Sequence, residues 1–200
     1  VFPYCQSMSR VTPIRAAEKA EIYGDLSGPV VLVGFGSIGV GLLPLLMRHF
    51  TFSQGLPVVL DQSAHNKPIA DFYGARFMQE RLTRENHEEI LAPLLQGAGQ
   101  ALCINLSVDV DSIALMRLCR AAGALYVDSS NEPWPGVTDD KAADISHRTN
   151  YALRETLLAE KRAHPGCVTA VSACGANPGM ASWLVKQALL NLAGDLGLLR

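Results

Sequence analysis

A glycine-rich turn is the first feature of the sequence with a recognisable chemistry. Its glycines fit the pattern G-x-G-x-x-G and stand between a predicted buried strand and a predicted helix. In that context the first glycine permits a tight turn, the second lets the backbone approach a pyrophosphate, and the third lets helix and strand pack closely. Backbone N–H groups at the helix start would bind the phosphates. The predicted cofactor-binding residues of this turn are Gly34, Gly36, Ser37, Ile38 and Gly39.

An acid at the end of the next predicted strand indicates which dinucleotide would bind. Asp61 follows the last glycine of the turn by about 20 residues, the usual position of the acid that binds the adenosine ribose. A carboxylate there accepts hydrogen bonds from both ribose hydroxyls and repels a 2′-phosphate, which favours NAD over NADP. The alternative is a glycine turn that only helps packing, but strand, turn, helix and acid together favour NAD binding.

Polar residues also follow the fourth predicted strand. Asn105 and Ser107 can hydrogen-bond a nicotinamide or ribose edge, and Val108 completes the predicted cofactor-binding set of this loop. Asp109 could be the anionic partner of an amine. A loop that caps the next helix is an equally weighted alternative, because Asp and Ser are common capping residues.

The fifth predicted strand ends in a loop stiffened by two prolines. Asp128 and Ser129 at its start are assigned to cofactor binding. Glu132 and Trp134 suit an ammonium ion, because a carboxylate and an indole held close together combine charge pairing with a cation–π contact. The alternative is that Trp134 packs on its own domain.

The sixth predicted strand runs into a turn of small residues. Asn177 precedes a proline, so its backbone is held extended, and the turn could close over a nicotinamide. Gly175 and Ala176 are assigned to cofactor binding, and Asn177 to the catalytic set with Glu132, Trp134 and Asp109. No histidine lies near Cys174 in sequence, so a small packing residue is favoured over a nucleophile.

Alternating strands and helices would position these residues. The pattern predicts an α/β fold with a doubly wound, mostly parallel sheet, which is a Rossmann NAD-binding domain over 28–200, preceded by an irregular N-terminal arm over 1–27. Strands are predicted at 29–33, 56–60, 76–78, 101–106, 125–127 and 167–171. Helices are predicted at 38–50, 69–73, from an N-cap at Thr83 to Leu95, from Asp111 or Ser112 to Gly123, at 150–162 and at 180–192.

Composition limits the possible partners. The net charge of −2 comes from 17 basic and 19 acidic residues without a long basic cluster, which argues against nucleic acid or an anionic membrane. The 5 cysteines are odd in number and lack CxxC spacing, so neither disulfides nor zinc are expected and a reducing cytoplasm is predicted. The histidines lack metal-ligand spacing. Most are expected to be solvated, and none is assigned a catalytic role.

Five motifs together resemble bacterial homospermidine synthases, a family related to saccharopine dehydrogenases. The resemblance extends from about residue 29 to about residue 195, and the later motifs are far more specific than the glycine turn. The motifs are VGFGSIG at 33–39, NLSVD at 105–109, EPW at 132–134, NYALRET at 150–156 and CGANPGM at 174–180.

The resemblance implies a transfer reaction with NAD recycled in place. Putrescine, or spermidine as an alternative donor, gives a hydride to NAD⁺ and becomes an imine. A second putrescine attacks the imine, ammonia leaves, and the returned hydride gives homospermidine. By the same resemblance, Glu132 pairs with the amine near the nicotinamide, and Asn177 and Asp109 line the same pocket.

The resemblance also implies a second, larger domain that supplies further substrate residues and much of a homodimer contact. The chain is therefore expected to be truncated after Arg200, and on its own it could bind NAD yet lack turnover. Two alternatives stay open. One is a saccharopine- or carboxynorspermidine-type dehydrogenase that releases NAD(P)H, and the other is a non-catalytic NAD-binding module.

Overall fold

The computed structural model describes residues 20–138, 144–176 and 179–198, and their strands and helices alternate along the chain. The strands are β1 (Gly24–Leu26), β2 (Val30–Val33), β3 (Phe50–Phe52), β4 (Val58–Asp61), β5 (Arg76–Gln79), β6 (Leu102–Asn105), β7 (Leu125–Asp128) and β8 (Ala170–Val171). The helices are α1 (Ser37–His49), α2 (Lys67–Phe72), α3 (His87–Leu94), α4 (Ser112–Ala122), α5 (Asn150–Ala163) and α6 (Met180–Asp195), with a 3₁₀ turn at Ile145–Arg148.

Six of the strands form one parallel sheet in the order β5-β4-β2-β6-β7-β8. This is the strand order of the dinucleotide-binding fold, and it confirms the predicted doubly wound sheet. Asn105 at the end of β6 pairs with Asp128 at the end of β7 and with Val33 at the end of β2. The polar strand ends therefore meet at one edge of the sheet, where ligands of such folds bind.

The central strand β2 is buried along its whole length, which explains its continuous apolar sequence. On one face of the sheet, Leu43 and Leu46 of α1 pack with Phe35. The other face packs against Leu91 of α3 and Leu115 of α4. A layer of helices on each face leaves the loops at the strand ends as the open part of the domain.

Three local predictions were wrong. Gly24–Leu26, within the predicted N-terminal arm, pairs in parallel with Phe50–Phe52 to form a separate two-stranded sheet. Thr83 is not a helix cap: α3 begins at His87, and the Thr83 hydroxyl accepts the Glu85 N–H in the preceding turn. The predicted strand over 167–171 contains only two paired residues, Ala170–Val171.

The residues predicted to cap the two ends of α4 were confirmed. The Asp111 carboxylate accepts the Ala114 N–H at 2.8 Å and caps α4. Gly123 ends the same helix with φ of 68°, a left-handed conformation that favours glycine.

No helix within the described ranges is long and apolar enough to cross a membrane. This includes α6, although it exposes apolar side chains such as Trp183 and Leu189.

An ion cluster at Glu160 joins α5 to α4. The Glu160 side chain is only 12% exposed. Arg117 Nε donates to Glu160 Oε1 at 2.9 Å, and Arg120 Nη1 donates to Oε2 at 2.8 Å. The hydrogen bond from Arg117, and to a smaller extent that from Arg120, lowers the pKa of the Glu160 carboxyl to about 2.

Glu160 should therefore make folding sensitive to acid. The pKa is lower in the folded state, so the stabilisation is present above the ordinary glutamate pKa and is lost as pH falls from about 4.3 towards 2. We expect E160Q to lower Tm at pH 7 by about 2–4 °C and to remove this part of the acid dependence. Calorimetry across pH checks it. E155Q is the matched control, because the Arg154–Glu155 pair is mostly exposed. Equal pH profiles for E160Q and the unchanged chain would contradict the assignment.

Candidate functional site

A cavity of about 670 Å³ opens at the carboxyl edge of the sheet. It lies over the ends of β2, β4 and β6, and its wall is completed by the segments 80–85 and 106–110. This is the place where the order of a doubly wound sheet reverses and where dinucleotides bind. Among the predicted site residues, those that line it are Gly34, Gly36, Ser37, Ile38, Asp61, Ser107, Val108, Asp109 and Trp134.

Each glycine of the turn has the surroundings that its predicted role requires. Gly34 has φ of 88°, and a Cβ there would lie 2.5 Å from the Ser107 backbone nitrogen. A Cβ on Gly39 would lie 2.6 Å from the Gly34 carbonyl oxygen. A Cβ on Gly36 would meet no protein atom within 4 Å and would enter the cavity. The space beside Gly36, at the start of α1, fits a pyrophosphate.

Asp61 is held rigidly at the floor of this cavity. Its Oδ2 accepts the Phe35 N–H at 2.6 Å, and its Oδ1 accepts the Ser63 N–H at 2.7 Å. The carboxylate thus keeps the glycine turn in place and still has lone pairs for ribose hydroxyls. Its fixed negative charge also lies where a 2′-phosphate would approach.

The opposite wall carries residues that the sequence analysis did not single out. Arg81 and Arg84 line the cavity beyond Asp61, and both side chains are exposed. An arginine near this position accommodates the 2′-phosphate in NADP enzymes, so these residues oppose the preference set by Asp61. The only sequence signal for them is their position after the third strand of the sheet.

Asp109 is exposed at the cavity wall with φ of 65°. Non-glycine residues rarely adopt this left-handed backbone, although aspartate tolerates it better than most. Such conformations concentrate at ligand-binding positions, where the surrounding structure holds them. The carboxylate of Asp109 is free to meet a ligand cation in the same cavity as the glycine turn.

Trp134 is buried, with 7% of its surface exposed at the cavity. Its ring packs against the His87 ring, with centroids 5.3 Å apart. His87 is itself buried, which corrects the expectation of solvated histidines for this residue. Its Nδ1 lies 3.0 Å from the Arg84 carbonyl oxygen, so that nitrogen carries a proton. Trp134 thus packs on its own domain, as one of the two alternatives predicted, and also borders the cavity, while its contact with an ammonium ion stays a prediction.

Glu132 does not line this cavity. Its backbone is fixed by Ser112, whose N–H donates to the Glu132 carbonyl at 2.8 Å and whose Oγ accepts the Glu132 N–H at 3.0 Å. The Glu132 carboxylate is half-buried and accepts the Ser130 hydroxyl at 2.7 Å. Among the described residues this hydroxyl is its one hydrogen-bond donor, so the carboxylate has further acceptor capacity in the loop after β7, two residues before Trp134.

Asp128 binds protein groups rather than open space. The buried carboxylate accepts the Tyr126 hydroxyl at 2.8 Å, the Ser172 hydroxyl at 2.9 Å and the Ala173 N–H at 2.6 Å. Burial raises the pKa of Asp128, although these hydrogen bonds act in the opposite direction. The residue ties β7 to the loop after β8, and it holds Ala173 at a φ of 59°. The geometry therefore gives Asp128 a positioning role in place of the predicted direct contact with the cofactor.

Asn105 is likewise buried and internal, while Ser129 donates its backbone N–H to the Asn105 carbonyl at 3.4 Å. Gly175 and Ala176 accept the backbone N–H groups of the first residues of α6 and do not line the cavity. Asn177 lies outside the described residues. Cys174 is exposed, so the predicted packing role is wrong. Within the described part of the chain, no group of three His, Cys, Asp or Glu could hold a metal ion.

Comparison with known proteins identifies relatives along most of the chain. Residues 30–171 match the family described as the saccharopine dehydrogenase NADP binding domain. The chain is 54% identical over 184 residues to a homospermidine synthase of Mesorhizobium japonicum, covering 92% of this chain and 38% of that protein. It is 54% identical over 177 residues to the homospermidine synthase of Blastochloris viridis, covering 88% and 37%.

A solved structure is also similar. It is the homospermidine synthase of Legionella pneumophila in complex with NAD, with a TM-score of 0.76 and 32% sequence identity. The match covers 90% of this chain and 36% of the Legionella chain. The chain thus spans less than two fifths of the length of each of these relatives.

Proposed function

From the premise that this chain belongs to the family of saccharopine dehydrogenase NADP-binding domains, we propose that it is the NAD-binding part of a homospermidine synthase. The observation that carries the proposal is the shared cavity. One space joins a dinucleotide-binding glycine turn and its acid to Asp109 and Trp134, a carboxylate and an indole that suit an ammonium ion. The identity of 54% to two homospermidine synthases supports the same activity.

The cofactor is NAD rather than NADP, despite the NADP in the family's description. Asp61 is fixed by two backbone hydrogen bonds, whereas Arg81 and Arg84 have long, exposed side chains. The Asp61 carboxylate sets the preference for NAD, because it is already held in place and loses no side-chain freedom when the ribose binds. The NAD bound to the Legionella relative supports this choice. When bound, NAD supplies a hydride acceptor and donor.

The residues of this chain hold the cofactor and the diamine. The start of α1 beside Gly36 binds the pyrophosphate, and Asp61 accepts the ribose hydroxyls. Asp109 and Glu132 neutralise the ammonium groups of putrescine, with the Trp134 ring as an apolar wall for its methylenes. Asn177 belongs to the same proposed set.

A chimera tests the activity. The chain replaces the matched part of the Blastochloris viridis relative, and the unaltered relative is the positive control. With putrescine and NAD, we expect homospermidine by chromatography and no net rise in absorbance at 340 nm. Net NADH release would favour a dehydrogenase of the saccharopine or carboxynorspermidine type. NAD binding without any turnover would favour a non-catalytic module.

Exchanging the charge at position 61 tests the cofactor choice. Asn has the size of Asp but lacks its charge, so we expect D61N to weaken NAD binding by about 10-fold. We also expect the ratio of NAD affinity to NADP affinity to fall by more than about 10-fold. Titration of the chain with each dinucleotide measures this. D71N is the matched control, because the Asp71 carboxylate lies on the exposed face of α2, where it pairs with Lys67 and does not line the cavity. An unchanged NAD/NADP ratio in D61N would contradict the assignment.

The proposal also covers the assembly, compartment and partners of the whole protein. It acts as a homodimer in the cytoplasm, binds neither nucleic acid nor membrane, and uses putrescine or spermidine as the aminobutyl donor. The unpaired thiols of Cys167 and Cys174, both exposed, are consistent with a reducing compartment.

A further inference from the structure

A directed chain of buried and partly buried hydrogen bonds runs from the cavity along the edge of the sheet. Ser107 donates from its backbone N–H at 3.2 Å and from its hydroxyl at 2.5 Å to Asn105 Oδ1. Asn105 Nδ2 donates to the Tyr126 hydroxyl oxygen at 3.3 Å, and that hydroxyl donates to Asp128 Oδ2 at 2.8 Å. Of these four residues, Ser107 alone lines the cavity.

One backbone group fixes the direction of every bond in this chain. The Ser107 N–H can only donate, so the oxygen of the Asn105 amide must face it and the NH₂ must face Tyr126. The Tyr126 oxygen accepts from that NH₂, so its own proton goes to the Asp128 carboxylate. Burial raises the pKa of Tyr126, so the phenol stays protonated and the direction is kept at all ordinary pH values.

The direction determines what Ser107 offers to a ligand. Its hydroxyl proton is committed to Asn105, so only the oxygen lone pairs remain on the cavity side. A lone pair attracts an O–H or N–H group and repels a phosphate oxygen. Ser107 therefore cannot be a good phosphate ligand, although its backbone abuts Gly34 of the glycine turn.

We infer that Ser107 is a hydrogen-bond acceptor for a donor group on the nicotinamide riboside half of the cofactor, and that Tyr126 is the positioning residue that holds the Asn105 amide in the orientation selected by the Ser107 N–H. The donor is a ribose hydroxyl or the carboxamide NH₂, which share this chemistry. The inference rests on the proposed binding of NAD. It assigns Tyr126 a part in recognition although that residue is buried and does not line the cavity.

Three nucleotides separate the possibilities in titrations of the 200-residue chain. NAD carries both donors, ADP-ribose carries the ribose alone, and ADP carries neither. We expect S107A to weaken NAD binding by about 5-fold, the effect of one neutral hydrogen bond, and to leave ADP unchanged. If S107A weakens the binding of ADP-ribose as much as that of NAD, the donor is the ribose hydroxyl. If S107A weakens the binding of NAD alone, the donor is the carboxamide NH₂. S107T keeps the hydroxyl and should restore binding.

Tyr126 is tested through its dependence on Ser107. We expect Y126F to weaken the same nucleotides as S107A, with ADP unchanged, and to add no further loss in the S107A background. Equal weakening of ADP would mean a general distortion and would overturn the positioning role. Unchanged NAD binding in S107A would overturn the inference while leaving the proposed function intact. Failure of the unaltered chain to bind NAD would instead overturn the proposed function, and the inference with it.

Discussion

Replacing Gly36 by valine is expected to weaken NAD binding by at least about 100-fold while the fold is kept. The added Cβ meets no protein atom within 4 Å, so the side chain starts in open space. It projects into the cavity beside the start of α1, where the pyrophosphate is proposed to lie. Loss of one or two charge-assisted hydrogen bonds there, each worth about 1.5–3 kcal/mol, gives this factor. Calorimetric titration with NAD measures it.

Two other glycines serve as controls for G36V. A Cβ on Gly41 would also meet no protein atom within 4 Å, but this residue lies on the exposed side of α1, away from the cavity. G41V should therefore bind NAD normally. In G39V the Cβ would collide with the Gly34 carbonyl, so that variant should lose stability as well as binding. NAD affinity in G36V equal to that in G41V would exclude the glycine turn as the phosphate site.

Glu132→Gln is expected to reduce kcat/KM for putrescine by about 100-fold in the chimera. The half-buried carboxylate accepts the Ser130 hydroxyl, and amide substitution would leave a substrate ammonium without its charge partner. Truncating one member of such a pair costs about 2–5 kcal/mol. NAD binding should not change, because Glu132 lies outside the wall of the cofactor cavity. Steady-state kinetics with product chromatography, beside NAD titration, measures both.

The control for Glu132 is E89Q, the same chemical change on the exposed surface of α3. It should retain full turnover. If E132Q loses NAD binding in step with turnover, the residue supports the cofactor and not the amine. If E132Q turns over putrescine at the normal rate, the diamine site must be built from other residues.

The sequence predicted the sheet well because its strands are buried on both faces. Continuous apolar runs such as Val30–Val33 have one favourable environment, the middle of a parallel sheet between helices. The glycine turn was predictable for a related reason, since its spacing matters only between a strand and a helix. The small sheet of β1 and β3 could not be predicted, because strands of three residues are too short for a period to be read.

The site was harder to predict where its partners are distant in sequence. His87 stands among polar neighbours, yet Trp134 covers it from a loop 47 positions further along the chain. Tyr126 reads as one more apolar residue of a strand, because its role depends on Asn105 and Asp128 meeting across β6 and β7. Asp128 is of a residue type that often binds ligands, but its carboxylate accepts a hydrogen bond from the backbone of the loop after β8. Sequence position identified the edge of the sheet but not the direction of each side chain.

The left-handed backbone at Asp109 has a consequence for how this loop can evolve. Glycine, asparagine and aspartate adopt that conformation at the lowest cost, so the backbone favours these three residue types at the position. Of these, aspartate alone carries a charge. A homologue that lacks this acid is therefore expected to carry asparagine or glycine at the same position, unless the backbone of the loop has changed. Loss of the charge should then be visible in the sequence of that homologue.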